Sequence, residues 1–269
     1  AITINVFKFL IRRCFNCPII TYMFLLMFSL VIYFILTGLK KNKEDNIYGI
    51  QPLLAVLAMW LTQDIVLRLF FSKKIIEGKD FLNLEDGPFI IAPTHRSRWD
   101  GLLLTYAIGR RVTNRDCRFM VTNPEMQGVQ GWFLKRLGCF SINQKSPSLF
   151  SLRYAVELIL SKNQLVIFPE GKITKSGKKV KLKQGLFRLA KLARKKGESI
   201  KFVPIGIAYS RVKPKFRDRF AICIEQPFDL DEFSNASVDD FNFYLHSRIQ
   251  KAEAKALELV GRKLDDQLE

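Results

Sequence analysis

The sequence predicts an α/β protein: a mixed, mostly parallel sheet flanked by helices, preceded by an N-terminal membrane helix or two-helix hairpin. Two observations support this prediction. After about residue 72, short apolar runs alternate with helical patterns, as in sheets that are covered by helices on both faces. Before residue 72, two long stretches contain few charges or none. We therefore divide the chain into an N-terminal membrane-anchoring region, residues 1–72, and a globular domain, residues 73–269.

The first apolar stretch, residues 19–39, has no charged residue and is long enough to cross a bilayer as a helix. A secretory signal peptide is the alternative, but the stretch is too long for one and no Ala-x-Ala-like cleavage site follows it. The second stretch, residues 51–71, contains Asp64 and Arg68, which are spaced to pair on one helical face. It could span the membrane or lie in its interface.

Composition adds a strong positive charge. The net charge is +18. Much of this positive charge lies in residues 172–201, which contain twelve Lys or Arg and one acid. Such a surface suits nucleic acid, anionic lipid or a polyanionic small molecule, and charge alone does not choose between them. The five cysteines are scattered, which argues against a disulfide framework, and no cluster has the spacing of a metal site.

The globular domain contains six apolar runs that predict strands and five helical patterns between and after them. The predicted strands are residues 89–92, 118–122, 140–142, 164–168, 202–208 and 220–224. The predicted helices are residues 101–109, 128–137, 149–160, 185–196 and 238–264.

His95 and Asp100 stand where the first of these strands meets the first of these helices. Residues five apart on one continuous helix point about 140° away from each other. The two side chains can therefore meet only if His95 lies in the loop and Asp100 lies at the helix start. A carboxylate in contact with an imidazole fixes its tautomer and stabilises the imidazolium. Two interpretations remain open: a general base with its orienting partner, or a surface histidine beside a helix N-terminal aspartate.

A second chemical stretch follows the strand at residues 164–168. Glu170 and Gly171 lie at the carboxyl end of this strand, where open α/β sheets bind ligands. Gly171 allows a substrate to approach the backbone closely. Basic side chains that suit a phosphate then follow: Lys172, Lys175, Lys178 and Lys183. The alternative for any one of these lysines is a solvated basic loop.

Together, these stretches resemble the glycerolipid acyltransferase family, which includes the 1-acylglycerol-3-phosphate acyltransferases. His95-x4-Asp100 resembles the first family motif, and Phe168-Pro169-Glu170-Gly171 resembles the third. Gly138-Cys139-Phe140-Ser141-Ile142 resembles the second motif, and Val203-Pro204-Ile205-Gly206-Ile207 resembles the fourth. The tripeptide Lys183-Gln184-Gly185 also resembles the basic residue and glycine with which the helix after the third family motif usually begins. The resemblance covers about residues 73–225, and four motifs in the same order are specific.

The resemblance implies the glycerolipid acyltransferase fold and assigns roles to residues. His95 is the general base and Asp100 orients it, so that the acceptor hydroxyl attacks an acyl thioester directly, without an acyl-enzyme. Glu170 and Gly171 bind the acceptor.

This chain departs from the family pattern at three places. Thr94 replaces the asparagine that usually precedes the histidine, and Gln144 replaces a phosphate-binding arginine. After Gly171 the family reads Thr-Arg-Ser, whereas this chain reads Lys-Ile-Thr. Lys145 and Lys172 are candidates to bind the phosphate in place of the missing arginines. Lysine offers a single point charge, however, whereas the arginine guanidinium can bind a phosphate through two hydrogen bonds at once. The remaining candidates for substrate binding are Arg96, Arg98, Lys145, Lys172, Lys175 and Lys183.

We therefore expect a membrane-bound O-acyltransferase that converts 1-acylglycerol-3-phosphate into phosphatidate. Acyl-CoA or acyl carrier protein would donate the acyl chain as co-substrate, and we expect no cofactor, no metal and no nucleic-acid partner. The expected partners are membrane lipids and the lysophospholipid acceptor. We place the protein in a bacterial inner membrane with its catalytic domain facing the cytoplasm. The alternatives are a different lysophospholipid, hydroxyl or amine acceptor, or a basic lipid-binding protein without catalysis.

Overall fold

The computed structural model describes residues 49–82, 88–144, 146–174, 180–197 and 199–263. All of them fall within one compact unit, Tyr48–Glu269. The predicted membrane helix at residues 19–39 and the candidate binding residues Lys145 and Lys175 lie outside the described residues.

Seven helices are described in this part of the chain. They are α1 (Pro52–Phe70), α2 (Asp100–Ile108), α3 (Arg110–Thr113), α4 (Gly128–Arg136), α5 (Leu149–Leu160), α6 (Gly185–Arg194) and α7 (Val238–Leu259). The eight described strands are β1 (Phe71–Glu77), β2 (Phe89–Pro93), β3 (Cys117–Thr122), β4 (Phe140–Ile142), β5 (Gln164–Val166), β6 (Lys201–Tyr209), β7 (Asp218–Ile224) and β8 (Phe228–Asp229). Short 3-10 turns, at Lys79–Leu82, Asn123–Met126 and Leu230–Phe233, connect some of these elements.

The strands form one mixed sheet in the order β1-β7-β6-β2-β5-β3-β4, with β8 also paired to β6. Five strand pairs are parallel, and two pairs, β6 with β7 and β6 with β8, are antiparallel. The prediction of a mostly parallel sheet flanked by helices is confirmed. The carboxyl ends of β2 and β5 are neighbours, so the loops that follow these two strands meet at one edge of the sheet.

The side chains of β2 point alternately to the two faces of the sheet, and each face is covered by its own hydrophobic core. Phe89 and Ile91 face a cluster that includes residues of α1 and α2, whereas Ile90 and Ala92 face a cluster that includes residues of α5, α6 and α7. Successive strand residues point to opposite faces of a sheet, so a strand made only of apolar residues must be covered on both sides. This explains why β2 is buried along its whole length.

Several predicted boundaries are wrong by a few residues. The strand predicted at 164–168 ends at Val166, and the helices predicted to end at residues 196 and 264 end at Arg194 and Leu259. Gly261, at φ +76°, is in the left-handed conformation that commonly stops a helix. The structure also adds β1 and β8, which the sequence analysis did not predict. The domain boundary after residue 72 stays a prediction.

Helix α1 is the one helix among the described residues that is long and apolar enough to cross a membrane, judged by length and composition. Its middle turns are π-helical from Trp60 to Val66, and Gln63 there donates a hydrogen bond to the carbonyl oxygen of Thr105 in α2 (3.0 Å). Leu67 is fully buried in the core. Asp64 pairs with Arg68, as its spacing predicts, and also with Arg111. The carboxyl-terminal half of α1 thus packs against the sheet domain.

Candidate active site

His95 and Asp100 are in contact. The backbone leaves β2 at Pro93, and α2 begins at Asp100, so the histidine lies in the connecting loop and the carboxylate lies in the first helical turn. His95 Nδ1 is 2.8 Å from Asp100 Oδ2. Because this oxygen also accepts hydrogen bonds from two backbone amides, it is an acceptor, and Nδ1 must carry the hydrogen. The free lone pair of the imidazole is therefore on Nε2.

The Asp100 carboxylate is fully buried and has donors on both oxygens. Oδ2 accepts from the backbone amides of Arg96 (2.6 Å) and Ser97 (2.8 Å). Oδ1 accepts from the hydroxyl of Tyr209, the last residue of β6 (2.5 Å). Burial, together with the charge of Asp100, raises the pKa of Tyr209 well above its ordinary value, so this hydroxyl stays a donor at neutral pH. The local sequence around Tyr209 did not identify it as part of the site.

Two further contacts fix the surroundings of the histidine. Phe168 stacks on the imidazole, with ring centroids 4.1 Å apart and an interplanar angle of 24°. Thr94, which stands where the family usually has asparagine, accepts a hydrogen bond from the amide of Ile207 through its hydroxyl (2.9 Å). This bond ties the loop to β6. The side chain of His95 remains 21% exposed, so that the ring is open to a substrate.

Glu170 and Arg96, both predicted to bind substrate, form a buried ion pair with each other. Arg96 Nη1 donates to both carboxylate oxygens of Glu170 (2.8 and 2.7 Å). Glu170 also accepts from the backbone amide of His95 (3.2 Å) and from the hydroxyl of Thr174. On its other edge, Arg96 binds Glu253 of α7. The guanidinium is thus directed into the protein.

The electrostatics of Arg96 follow from these contacts. Burial by itself would lower the pKa of the guanidinium, but the hydrogen bonds and charges of Glu253 and Glu170 outweigh it and raise that pKa. Arg96 is therefore a permanent buried cation between two carboxylates.

Gly171, Gln144 and Lys183 lie together beside this network. Gly171 has φ +72°, and a Cβ there would approach the Lys183 side chain to 3.1 Å. The amide nitrogen of the Gln144 side chain donates to the carbonyl oxygen of Gly171 (2.9 Å). Lys183 is exposed, and its side chain covers the glycine turn. An exposed cation thus lies over the turn that follows β5.

The other predicted binding residues are more dispersed. Lys172 is exposed in the turn after Gly171. Arg98 is 82% exposed and lies 3.9 Å from Glu125, as a surface ion pair. Among the described residues, no group of His, Cys, Asp and Glu could hold a metal ion.

Comparisons with known proteins identify a family and a similar fold. Residues 75–208 match the model of the acyltransferase family. The fold is similar to that of the 1-acyl-sn-glycerophosphate (LPA) acyltransferase PlsC from Thermotoga maritima, with a TM-score of 0.57 and 20% sequence identity over 77% of this chain and 80% of that chain. No curated protein sequence matches this chain.

Proposed function

Because the chain belongs to the glycerolipid acyltransferase family, we propose that it transfers an acyl chain from an acyl thioester to the free hydroxyl of 1-acylglycerol-3-phosphate, giving phosphatidate. Membership of this family makes the chain an acyltransferase. The identity of the acceptor, the identity of the acyl donor and the roles of individual residues are proposed here.

The observation that carries the mechanism is the contact between His95 Nδ1 and Asp100 Oδ2. With Nδ1 protonated, Nε2 takes the proton of the acceptor hydroxyl as its oxygen attacks the thioester carbonyl carbon. The tetrahedral intermediate then collapses, the carbon–sulfur bond breaks, and the leaving thiolate takes the proton back from Nε2. Asp100 stabilises the imidazolium that exists between these two steps.

Lys183 is the best-placed candidate for the acceptor phosphate. Its exposed side chain lies over Gly171, and Gly171 directly follows Glu170 in the turn after β5. Gln144 holds the Gly171 carbonyl in place at the position where the family usually has an arginine. Lys172 is the second described candidate, and Lys145 and Lys175 stay predictions. In this proposal, the lysine ammonium groups bind the acceptor phosphate in place of the missing arginines.

We further propose that the protein works at a membrane surface. The amino-terminal part of α1 exposes large apolar side chains, including those of Leu53, Val56 and Trp60. This pattern suits a helix in contact with lipid. The domain would then receive its lipid acceptor from the bilayer and its acyl-CoA or acyl carrier protein donor from the cytoplasm, at a bacterial inner membrane.

The test is acyl transfer by the detergent-purified protein and its His95→Ala variant. Lysophosphatidate, other lysophospholipids and glycerol 3-phosphate would be offered as acceptors, each with acyl-CoA and with acyl carrier protein. We expect phosphatidate formation that falls by about 10² to 10⁴-fold in the variant, the usual contribution of a general base. Binding to lysophosphatidate-containing vesicles should be unchanged and serves as the control for folding.

Other outcomes separate the alternatives. Activity that depends on His95 but uses only another acceptor would retain the mechanism and reject lysophosphatidate. Vesicle binding without transfer to any acceptor would support a lipid-binding protein without catalysis and contradict the proposal.

A further inference from the structure

We propose that Glu253, on α7, is a positioning residue for the reaction and acts on His95 through Arg96 and Glu170. This inference rests on the proposed function, since it assumes that His95 is the base. Glu253 lies outside the residues that match the family model, 75–208. On sequence alone, an acid in an amphipathic helix is expected on the solvated face, whereas the structure buries it to 3% exposure.

The contacts form a continuous chain from α7 to the histidine. Arg96 donates to Glu253 along one edge of the guanidinium, through Nε (2.5 Å) and Nη2 (2.7 Å). The remaining nitrogen, Nη1, donates to both oxygens of Glu170. Glu170 Oε1 in turn accepts the backbone amide of His95. The bidentate fork therefore fixes the plane of Arg96, and Arg96 fixes the carboxylate that holds the histidine backbone.

The carbonyl of His95 is held by the same network. It accepts from the backbone amide of Thr174 (2.9 Å) and from Arg96 Nη1 (3.1 Å). Both backbone polar atoms of His95 thus bind members of the network, while its ring nitrogen binds Asp100. With the backbone and the ring both restrained, Nε2 has a defined position for proton transfer. A displacement of about 1 Å is enough to slow such a step substantially.

The close approach of α7 to the sheet sets the position of Glu253. A Cβ at Gly206, in β6, would lie 2.2 Å from the backbone nitrogen of Glu253 and 2.2 Å from the carbonyl carbon of Ala252. Only glycine allows this distance. The helix backbone is therefore pressed against β6 at the residue that reaches Arg96. This is a structural reason for the glycine in the segment that resembles the fourth family motif.

Stability alone is a poor explanation for this network. It buries one cation between two carboxylates, with net charge −1, and the desolvation of three charges consumes most of their attraction. Well-packed apolar side chains often stabilise a protein as well or better at such sites. What the ionic network provides in addition is a fixed register between three segments that are far apart in the sequence: the histidine loop, the turn at Glu170 and α7.

The first experiment compares Glu253→Gln with Glu258→Gln in the full-length protein. Glutamine keeps the shape of Glu253, but it removes the charge and one of the two acceptors for Arg96. Glu258 is an exposed acid on the same helix, so its variant is the matched control. For Glu253→Gln we expect kcat to fall about 10 to 100-fold with the KM values of both substrates within about twofold. We expect Glu258→Gln to behave as the wild type.

Conservative variants separate positioning from folding. Glu253→Asp keeps the charge and should recover part of the lost kcat. In an Arg96→Lys background, which removes the fork, Glu253→Gln should have a much smaller further effect, because both changes break the same link. If the fall in activity only tracks the loss of folded protein, with kcat per folded molecule unchanged, the proposal is overturned.

A spectroscopic measurement decides the question independently of turnover. The chain has two histidines, so comparison with a His95→Gln variant identifies which of the ¹⁵N NMR ring signals belong to His95. Glu253→Gln should shift and broaden these signals, and Glu258→Gln should not. Unchanged signals would overturn the positioning role even if the enzyme is active. If the signals change but no acceptor is acylated by the wild type, the proposed function fails and the positioning contact stands.

Discussion

The hydroxyl of Tyr209 and the imidazole of His95 bind different oxygens of the same carboxylate, that of Asp100. Tyr209 is the last residue of β6, so the aspartate is anchored to the sheet as well as to its own helix. A carboxylate that is held on both oxygens cannot rotate away from the histidine. The His95–Asp100 pair is therefore part of a longer hydrogen-bonded chain that begins in the core.

Tyr209→Phe tests this anchor. Removing the hydroxyl deletes one hydrogen bond to a buried, charged acceptor, which typically costs about 1.5–3 kcal/mol. We expect kcat to fall about tenfold with little change in KM. The free energy of unfolding, measured in urea, should fall by about 1.5–3 kcal/mol, the value of the lost hydrogen bond. Tyr244→Phe, which removes a hydroxyl that binds Arg248 on α7, is the control and should leave kcat unchanged. Equal kcat values for the two variants would contradict the prediction.

Lys183→Ala tests the proposed contact with the acceptor phosphate. Loss of a charged hydrogen bond to phosphate should raise the KM for lysophosphatidate about 10 to 100-fold. The KM for the acyl donor should stay the same, since the lysine lies over Gly171 on the acceptor side of the proposed site. Lys181→Ala, another exposed lysine two residues earlier, is the control. Steady-state kinetics with each substrate varied in turn make the measurement. Equal effects of both variants would point to general charge attraction instead.

Gly206→Ala tests the contact between α7 and β6. The added methyl would lie 2.2 Å from helix backbone atoms, so α7 must move outwards. We expect the free energy of unfolding to fall by about 1–3 kcal/mol or more, the usual cost of overpacking. Gly185→Ala is the matched control, because a Cβ at that helical glycine meets nothing within 4 Å. Because alanine loses less backbone entropy on folding than glycine, that variant should stabilise the protein by about 0.4–1 kcal/mol in the same urea titration. Identical stability of the two variants would exclude the close approach.

The buried thiol of Cys139 should make stability depend on pH in the alkaline range. Burial raises the pKa of this thiol from 9.0 to about 12. Because the folded value is the higher one, its contribution is complete below about pH 9 and is lost as pH rises towards 12. Between about pH 8 and about pH 10.5, the wild type should lose about 2 kcal/mol more than Cys139→Ala. Urea unfolding at both pH values measures this difference, and equal losses would mean that the thiol titrates normally.

The sequence predicts those features that depend on local pattern. Short apolar runs located six of the eight described strands, and the five-residue spacing correctly required His95 in a loop and Asp100 at a helix start. Strand β1 was missed because Lys73 and Lys74 interrupt its apolar pattern, and only its pairing with β7 makes it a strand. Contacts between segments that are far apart in the sequence could not be predicted from local pattern either. Nothing in the local sequence distinguishes Glu253 from the exposed acids of its helix, or shows that Arg96 turns inwards to meet it.

The pairing of β1 with β7 also determines when a newly made chain can acquire a working site. Phe71 pairs with Asp218, and the last described helix follows still later. During synthesis from the amino terminus, His95 and Asp100 leave the ribosome long before Tyr209, and Glu253 emerges last. Pairing between such distant segments is also slow. A ribosome stalled before residue 209 would therefore carry His95 and Asp100 without Tyr209 and Glu253, so we expect acyl transfer to begin only after translation of the domain is almost complete.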